Sequence, residues 1–115
     1  MPVPSFDDRD GLIWLDGELV PWRRANLHVL SHALHYASSV FEGERAYDGE
    51  IFRLHEHSAR LVRSAAALGF ALQASAAEID ASCRQVLAAN RIIDGYVRPV
   101  AWRGSEEMGV AAPSS

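Results

Sequence analysis

Two short apolar runs, Leu12-Ile13-Trp14-Leu15 and Leu19-Val20 after Glu18, flank the dipeptide Asp16-Gly17. Asp-Gly supplies the two positive φ angles of a type I′ turn, so the pattern predicts a β-hairpin closed by Pro21. The signal returns at Asp48-Gly49, where a strand from Ser39 to Tyr47 turns into Ile51-Phe52-Arg53-Leu54. Between the two hairpins Ser31 precedes a short helix ending at Tyr36, and its hydroxyl is placed to accept from an early amide. From His55 to Leu68 the apolar period becomes helical: Leu54, Leu61, Ala65 and Leu68 share a face, and Gly69 stops the helix. Ser75-Ala76-Ala77-Glu78 is a capping box that opens a second helix, with Ile79, Cys83, Val86 and Leu87 as its buried stripe. Asp94-Gly95 then turns the chain into a last strand, Tyr96 to Arg103.

Strands, two helices and a returning strand predict an α+β two-layer sandwich: a mostly antiparallel sheet with two main helices on one face. Residues 1–11 read as an N-terminal arm, with Pro2 and Pro4 disfavouring regular structure and Asp7, Asp8 and Asp10 keeping it solvated. Residues 12–103 are the folded domain and 104–115 a loop without periodicity. At 115 residues, 49% apolar and 23% charged, the chain is one ordinary domain of a soluble protein. The net charge of −4, with acids and arginines interleaved, argues against nucleic acid as a partner. The acidic N-terminus is unlike a signal peptide and no apolar run reaches membrane-spanning length, so a cytoplasmic protein without a membrane partner is expected. Cys83, the single cysteine, fits a reducing compartment and a place in the core.

His28, His32 and His35 follow at helical spacing, but His28 lies before the Ser31 cap, so structural hydrogen bonding is expected rather than a metal site. His55 and His57 point to different sides of any helix. No G-x-S-x-G elbow, GxGxxG or Walker-type loop occurs. Arg60 has two readings: an i,i+4 partner of Glu56 on a solvated face, or a phosphate anchor, since a guanidinium fork matches phosphate oxygens.

Several fragments recur in the order and spacing of one known family. They are Ile13-Trp14-Leu15-Asp16-Gly17, Pro21-Trp22, His28 to Tyr36, Ser39-Val40-Phe41-Glu42-Gly43, Arg45-Ala46-Tyr47, Ile51-Phe52-Arg53-Leu54, Arg60-Leu61 and Tyr96-Val97-Arg98-Pro99. From about residue 12 onward the chain resembles the N-terminal domain of branched-chain amino-acid aminotransferases, class IV enzymes of fold type IV that use pyridoxal 5′-phosphate. The resemblance implies that Arg60 binds the cofactor phosphate. It implies that Phe41, Gly43 and Arg45 line the substrate pocket with Tyr36, that Tyr96 lies near the substrate α-carboxylate, and that Arg98 accepts the side-chain carboxylate of glutamate. Met108 and Val110 would belong to an interdomain loop reaching a neighbouring subunit's pocket, which implies a homodimer or higher homo-oligomer. Such a pocket must take both apolar side chains and glutamate, so Phe41 and Tyr36 suit its apolar wall and Arg98 supplies a charge-assisted donor when glutamate arrives.

Two positions depart from the family pattern: Ala37, where glycine is common, and Glu44, where an aliphatic residue is common. Ala37 is strained if a positive φ is required there. Glu44 alternates away from Gly43 and Arg45 and should point off the pocket face. All eleven basic residues are arginine. The family's Schiff-base lysine and the acid that pairs with the pyridine nitrogen belong to a C-terminal catalytic domain, which is expected to be absent from this chain. Arginine has no free amine at working pH and cannot replace that lysine. The resemblance therefore implies an enzyme moving amino groups between branched-chain amino acids and 2-oxoglutarate, with this chain alone inactive. The alternatives are a D-amino-acid or (R)-amine aminotransferase, an aminodeoxychorismate lyase, or a free-standing domain that binds a ligand or partner without catalysis.

Overall fold

The computed structural model describes residues 3–106. Strands β1 (Leu12–Leu15) and β2 (Glu18–Pro21) form the first hairpin, in register from Leu12 opposite Pro21 to Leu15 opposite Glu18. Its turn has φ of 48° at Asp16 and 95° at Gly17, the doubly positive geometry expected of Asp-Gly. A 3₁₀ turn, Trp22–Arg24, and helix α1, His32–Tyr36, lead into β3, Ser39–Phe41. Strands β4 (Glu44–Tyr47) and β5 (Glu50–Ile51) form the second hairpin, with φ of 53° at Asp48 and 80° at Gly49. Helices α2 (Leu54–Ala67) and α3 (Ala76–Ala89) follow, then β6 (Gly95–Val97) and β7 (Val100–Trp102). Every strand pair is antiparallel, in the orders β1-β2, β3-β7 and β5-β4-β6. The class is α+β, as the order of elements predicts.

The sheet is more divided than the pattern suggests. The expected strand from Ser39 to Tyr47 is broken at Glu42-Gly43, and the one from Tyr96 to Arg103 is broken at Arg98-Pro99. The breaks face each other because Pro99 has no amide to give to a ladder. Its carbonyl accepts from the Glu42 amide at 3.1 Å, and that bond joins the two ladders across the gap. The returning strand of the second hairpin is also shorter than Ile51 to Leu54, ending at Ile51.

Helices α2 and α3 bury Leu54, Leu61, Ile79, Cys83 and Leu87 against Ala46 and Val97 of the central strands. Val86 is only partly buried on the rim of this cluster. Leu68, the C-cap of α2, is exposed, and the inward face of the helix is completed by Ser58 at a one-turn step from Leu54 and Leu61. Helix α3 carries the expected capping box, with the Glu78 amide on the Ser75 hydroxyl and the Ser75 amide on the Glu78 carboxylate, both at 3.1 Å. Ser31 does not cap α1: its hydroxyl donates to the His28 carbonyl at 2.7 Å. The amides of His32 and Ala33 donate instead to the carbonyls of Gly104 and Arg103, at 2.7 and 3.2 Å. A later segment of chain satisfies the amides assigned to the cap.

Asn90, just past α3, holds the first hairpin. Its side chain accepts from the Leu12 amide and donates to the Leu12 carbonyl, each at 2.9 Å, and also donates to the Val86 carbonyl at 2.8 Å. A Cβ on Gly11, where φ is +127°, would stand 2.8 Å from the Asn90 Oδ1. The N-terminal arm is tied to the hairpin as well, with Arg23 bridging Asp8 and Asp10 at 2.8 Å each and the Trp22 indole donating to the Phe6 carbonyl.

Ala37 ends α1 in the left-handed region, φ 56° and ψ 30°, the conformation in which glycine is free of the strain a Cβ brings. Ala37→Gly should therefore stabilise the fold by roughly 1 kcal/mol. The check is the midpoint of urea unfolding, expected to rise at an unchanged m-value; a lowered midpoint would show that alanine sits there without strain.

Candidate functional site

Period-two alternation builds the site. From Phe41 to Tyr47 the odd-numbered residues are exposed, while Glu42, Glu44 and Ala46 are buried. The facing strand has the complementary pattern: Tyr96, Arg98 and Val100 outward, Val97 inward. Register places Arg45 opposite Tyr96 and Phe41 opposite Val100. The outward surface thus gathers Phe41, Gly43, Arg45, Tyr96 and Arg98 from residues more than fifty positions apart in sequence.

Arg98 organises that surface. Its Nε donates to the Tyr96 hydroxyl at 2.9 Å, and its guanidinium carbon lies 4.4 Å from the centroid of Phe41 and 5.4 Å from that of Tyr96. Both rings present π faces to the cation. The Tyr96 ring reaches over Gly43, where a Cβ would come within 2.8 Å of the tyrosine hydroxyl oxygen and 3.2 Å of the ring. Gly43 is needed for this close approach, not for an unusual φ. Arg45 lies on the same face and forms no ion pair among the described residues.

Tyr36 stands apart. Its ring tilts against that of His32 with centroids 4.5 Å apart, and among the described residues no hydrogen bond or ring contact ties it to the Phe41–Arg98 group. Met108 and Val110 lie outside the described residues.

Behind the outward face, Glu42 receives Arg60. The guanidinium donates from Nε to both carboxylate oxygens, at 3.1 and 2.9 Å, and from Nη2 to Oε1 at 2.7 Å. His57, one turn earlier on α2, meets the same Oε1 through Nδ1 at 2.6 Å. The Arg60 bond holds the Glu42 carboxyl below the ordinary range; burial opposes this, and the His57 bond reinforces it. The expected Glu56–Arg60 pair is replaced, since Glu56 joins Arg53 at 3.2 Å. Arg60 remains 59% exposed in its side chain, and its Nη1 bonds to nothing among the described residues. It borders a shallow depression of about 260 Å³ that Arg53, Glu56, His57 and Arg63 also line. An exposed guanidinium with one edge held and another free fits a phosphate group.

No role at the site was expected of Glu42 or His57. The available signal was the pair of acids at 42 and 44 in step with inward-facing Ala46. Glu44 does point off the pocket face, and at a cost. It is 1% exposed, and neither oxygen has a conventional hydrogen-bond partner. The Cys83 thiol is its weak donor. Burial raises the Glu44 carboxyl above its usual range, and the Cys83 thiol beside it is pushed up to about 12 by burial and by Glu44. Asp80 fares better: burial raises it, but Ser58 and His55 outweigh that, with His55 Nδ1 at 2.7 Å from Oδ2.

The remaining histidines are bound locally. The Leu30 amide donates to His28 Nδ1 at 3.0 Å, His35 Nε2 donates to the Val29 carbonyl at 2.8 Å, and His32 Nδ1 meets the Ser38 hydroxyl at 2.6 Å. Among the described residues no group of three or more His, Cys, Asp or Glu side chains could hold a metal ion. No helix among them is long and apolar enough to cross a membrane.

The profile of the family described as "Amino-transferase class IV" matches residues 39–115. The chain belongs to the class IV aminotransferases. It is 47% identical over 112 residues to the branched-chain-amino-acid aminotransferase of Pseudomonas aeruginosa, covering 94% of this chain and 36% of that protein. It is similar to the crystal structure of the T.th. branched-chain amino acid aminotransferase complexed with N-(5′-phosphopyridoxyl)-L-glutamate, at a TM-score of 0.87 and 41% identity, over 93% of this chain and 38% of that one. The Escherichia coli branched-chain amino acid aminotransferase gives 0.86 and 42%, over 92% and 37%. This member of the class IV aminotransferases thus spans a little over a third of the length of these relatives.

Glu44 generates a pH-dependent prediction. A carboxyl whose folded pKa is raised contributes its stability below the unfolded value near 4.5 and loses it as pH rises through the folded value. Glu44→Leu removes that loss. Its stability advantage over the parent should grow with pH and reach about 1–3 kcal/mol at neutrality, the usual cost of an unpaired buried polar group. Urea unfolding at pH 4 and pH 8 reads it, and a gain independent of pH would rule out buried charge as the cause.

Proposed function

We propose that this chain is the N-terminal domain of a pyridoxal 5′-phosphate-dependent aminotransferase that moves an amino group between branched-chain amino acids and 2-oxoglutarate. In this reading residues 12–103 are the small domain, 1–11 an arm, and 104–115 the start of a link to a catalytic domain. The observation that carries it is Arg98 lying against Phe41 and hydrogen-bonded to Tyr96. Folded onto the rings, Arg98 leaves an apolar wall for leucine, isoleucine or valine; swung away, it offers a fork to the side-chain carboxylate of glutamate. The names of the relatives support the same substrate class.

When bound, the cofactor supplies an electron sink for the α-carbon of the amino acid. This chain's part is to hold and to exclude. Arg60 grips the phosphate with its free edge, Phe41 and Tyr96 keep water from the side-chain pocket, and Arg45 adds positive charge at the rim. Tyr36 extends the wall, and the protein works as a homodimer or higher oligomer in the cytoplasm. The chain has no lysine, so the 115 residues alone are inactive and form no lasting imine with the cofactor.

Kinetics of the protein that carries this domain test the reading. Arg98→Ala should raise KM for glutamate and 2-oxoglutarate at least tenfold, about the effect of losing one charge-assisted bond, and leave KM for leucine within about twofold. Equal effects on both substrates, or no leucine turnover in the parent, would refute it. The isolated 115-residue chain, mixed with pyridoxal 5′-phosphate, should show no imine absorbance beyond the reversible reaction of its α-amine; a stable yellow complex would contradict its inactivity.

A further inference from the structure

We infer that Glu42 is a positioning residue for cofactor binding: it aims the Arg60 guanidinium so that the edge left free is presented to the phosphate. The inference rests on the reading of Arg60 as the phosphate anchor. Arg60 alone is poorly suited to that task, because an exposed arginine samples many rotamers and must be ordered when the phosphate binds. Glu42 removes most of that freedom beforehand. Its carboxylate occupies the Nε and Nη2 edge through three contacts of 2.7–3.1 Å. Two N–H groups on Nη1 and one on Nη2 are left for an anion.

Glu42 can aim Arg60 because Glu42 is itself fixed. Its side chain is 5% exposed, its Oε1 is held again by His57 at 2.6 Å, and its amide is pinned to the Pro99 carbonyl at 3.1 Å. Pro99 follows Arg98, and Glu42 lies between Phe41 and Gly43. One peptide unit thereby sets the substrate wall on its outer side and the phosphate anchor on its inner side. His57 matters electrostatically as well: a second donor on Oε1 shares the carboxylate, so the negative charge on Glu42 is less able to cancel Arg60.

The test compares pyridoxamine 5′-phosphate with pyridoxamine, neither of which bonds covalently to a lysine, by titration calorimetry on the full protein. The ratio of their affinities isolates what the phosphate contributes. In the parent the phosphorylated ligand should bind far more tightly, and Arg60→Ala should abolish most of that preference. Glu42→Gln, nearly isosteric, should narrow the preference by roughly three- to tenfold, the effect of freeing one rotamer-rich side chain, with pyridoxamine affinity unchanged. If Arg60→Ala leaves the preference intact, the anchor itself is misassigned. If Arg60→Ala removes it and Glu42→Gln does not, the anchor stands and the positioning role falls. Equal loss for both ligands in Glu42→Gln would mark Glu42 as merely structural and overturn the inference. Should Glu42→Gln fail to fold, Arg60→Lys decides: it keeps the charge but cannot be held by the fork, so it should lose most of the preference, and retention would overturn the proposal.

Discussion

The alternation of side chains along residues 41–47 is the constraint on which the rest of the structure depends. A strand allows its odd and even positions only opposite faces, and antiparallel pairing with residues 95–102 locks that choice. One face must satisfy the core under α2 and α3, so Ala46 and Val97 turn inward. Phe41, Gly43 and Arg45 are then obliged to turn outward and meet Tyr96 and Arg98. A slip of one residue would bury Arg45 and expose the core side chains. Core and candidate pocket are two sides of one decision.

The same constraint forces two acids indoors. Glu42 and Glu44 are two residues apart on the same face and meet opposite fates. Glu42 reaches an arginine and a histidine and is stabilised as an anion. Glu44 lies one pleat deeper, where burial outweighs the more distant His57 and the one hydrogen-bond donor is the Cys83 thiol. Both side chains are almost wholly enclosed, but burial is the largest influence on Glu44, whereas for Glu42 the Arg60 bond outweighs it. Helix α2 supplies the partners for Glu42 because His57 and Arg60 lie about one turn apart on the side facing the strand break.

Much of the fold is legible from local chemistry. Both Asp-Gly turns, the Ser75–Glu78 capping box and the change of period at α2 depend on neighbours a few residues away, which sequence displays directly. What escaped depends on distant chain. Ser31 gives up its cap because residues 103 and 104 deliver carbonyls to the same amides. The strand breaks arise because Pro99 faces Glu42-Gly43, a juxtaposition fixed only by tertiary register. Within the site, the outward set follows from period two together with the family resemblance. The Glu42–His57–Arg60 cluster could not be read this way, since α2 had to be docked before Arg60 could choose Glu42 over Glu56. Tyr36 differs: only the family resemblance groups it with the pocket, and its ring is engaged with His32.

Asn90 carries a consequence of a different kind. By offering both an acceptor and a donor to Leu12, its side-chain amide imitates the backbone of one more strand, and it does so from the end of α3. Among the described residues the first hairpin has no other strand beside it in its sheet. Its opening is therefore coupled to fraying of the last helical turn, where the same amide holds the Val86 carbonyl. An isolated hairpin of eight paired residues would exchange its amide protons almost freely. Anchored in this way, β1 and β2 join the opening unit of α3, so that elements far apart in sequence share one protection against exchange.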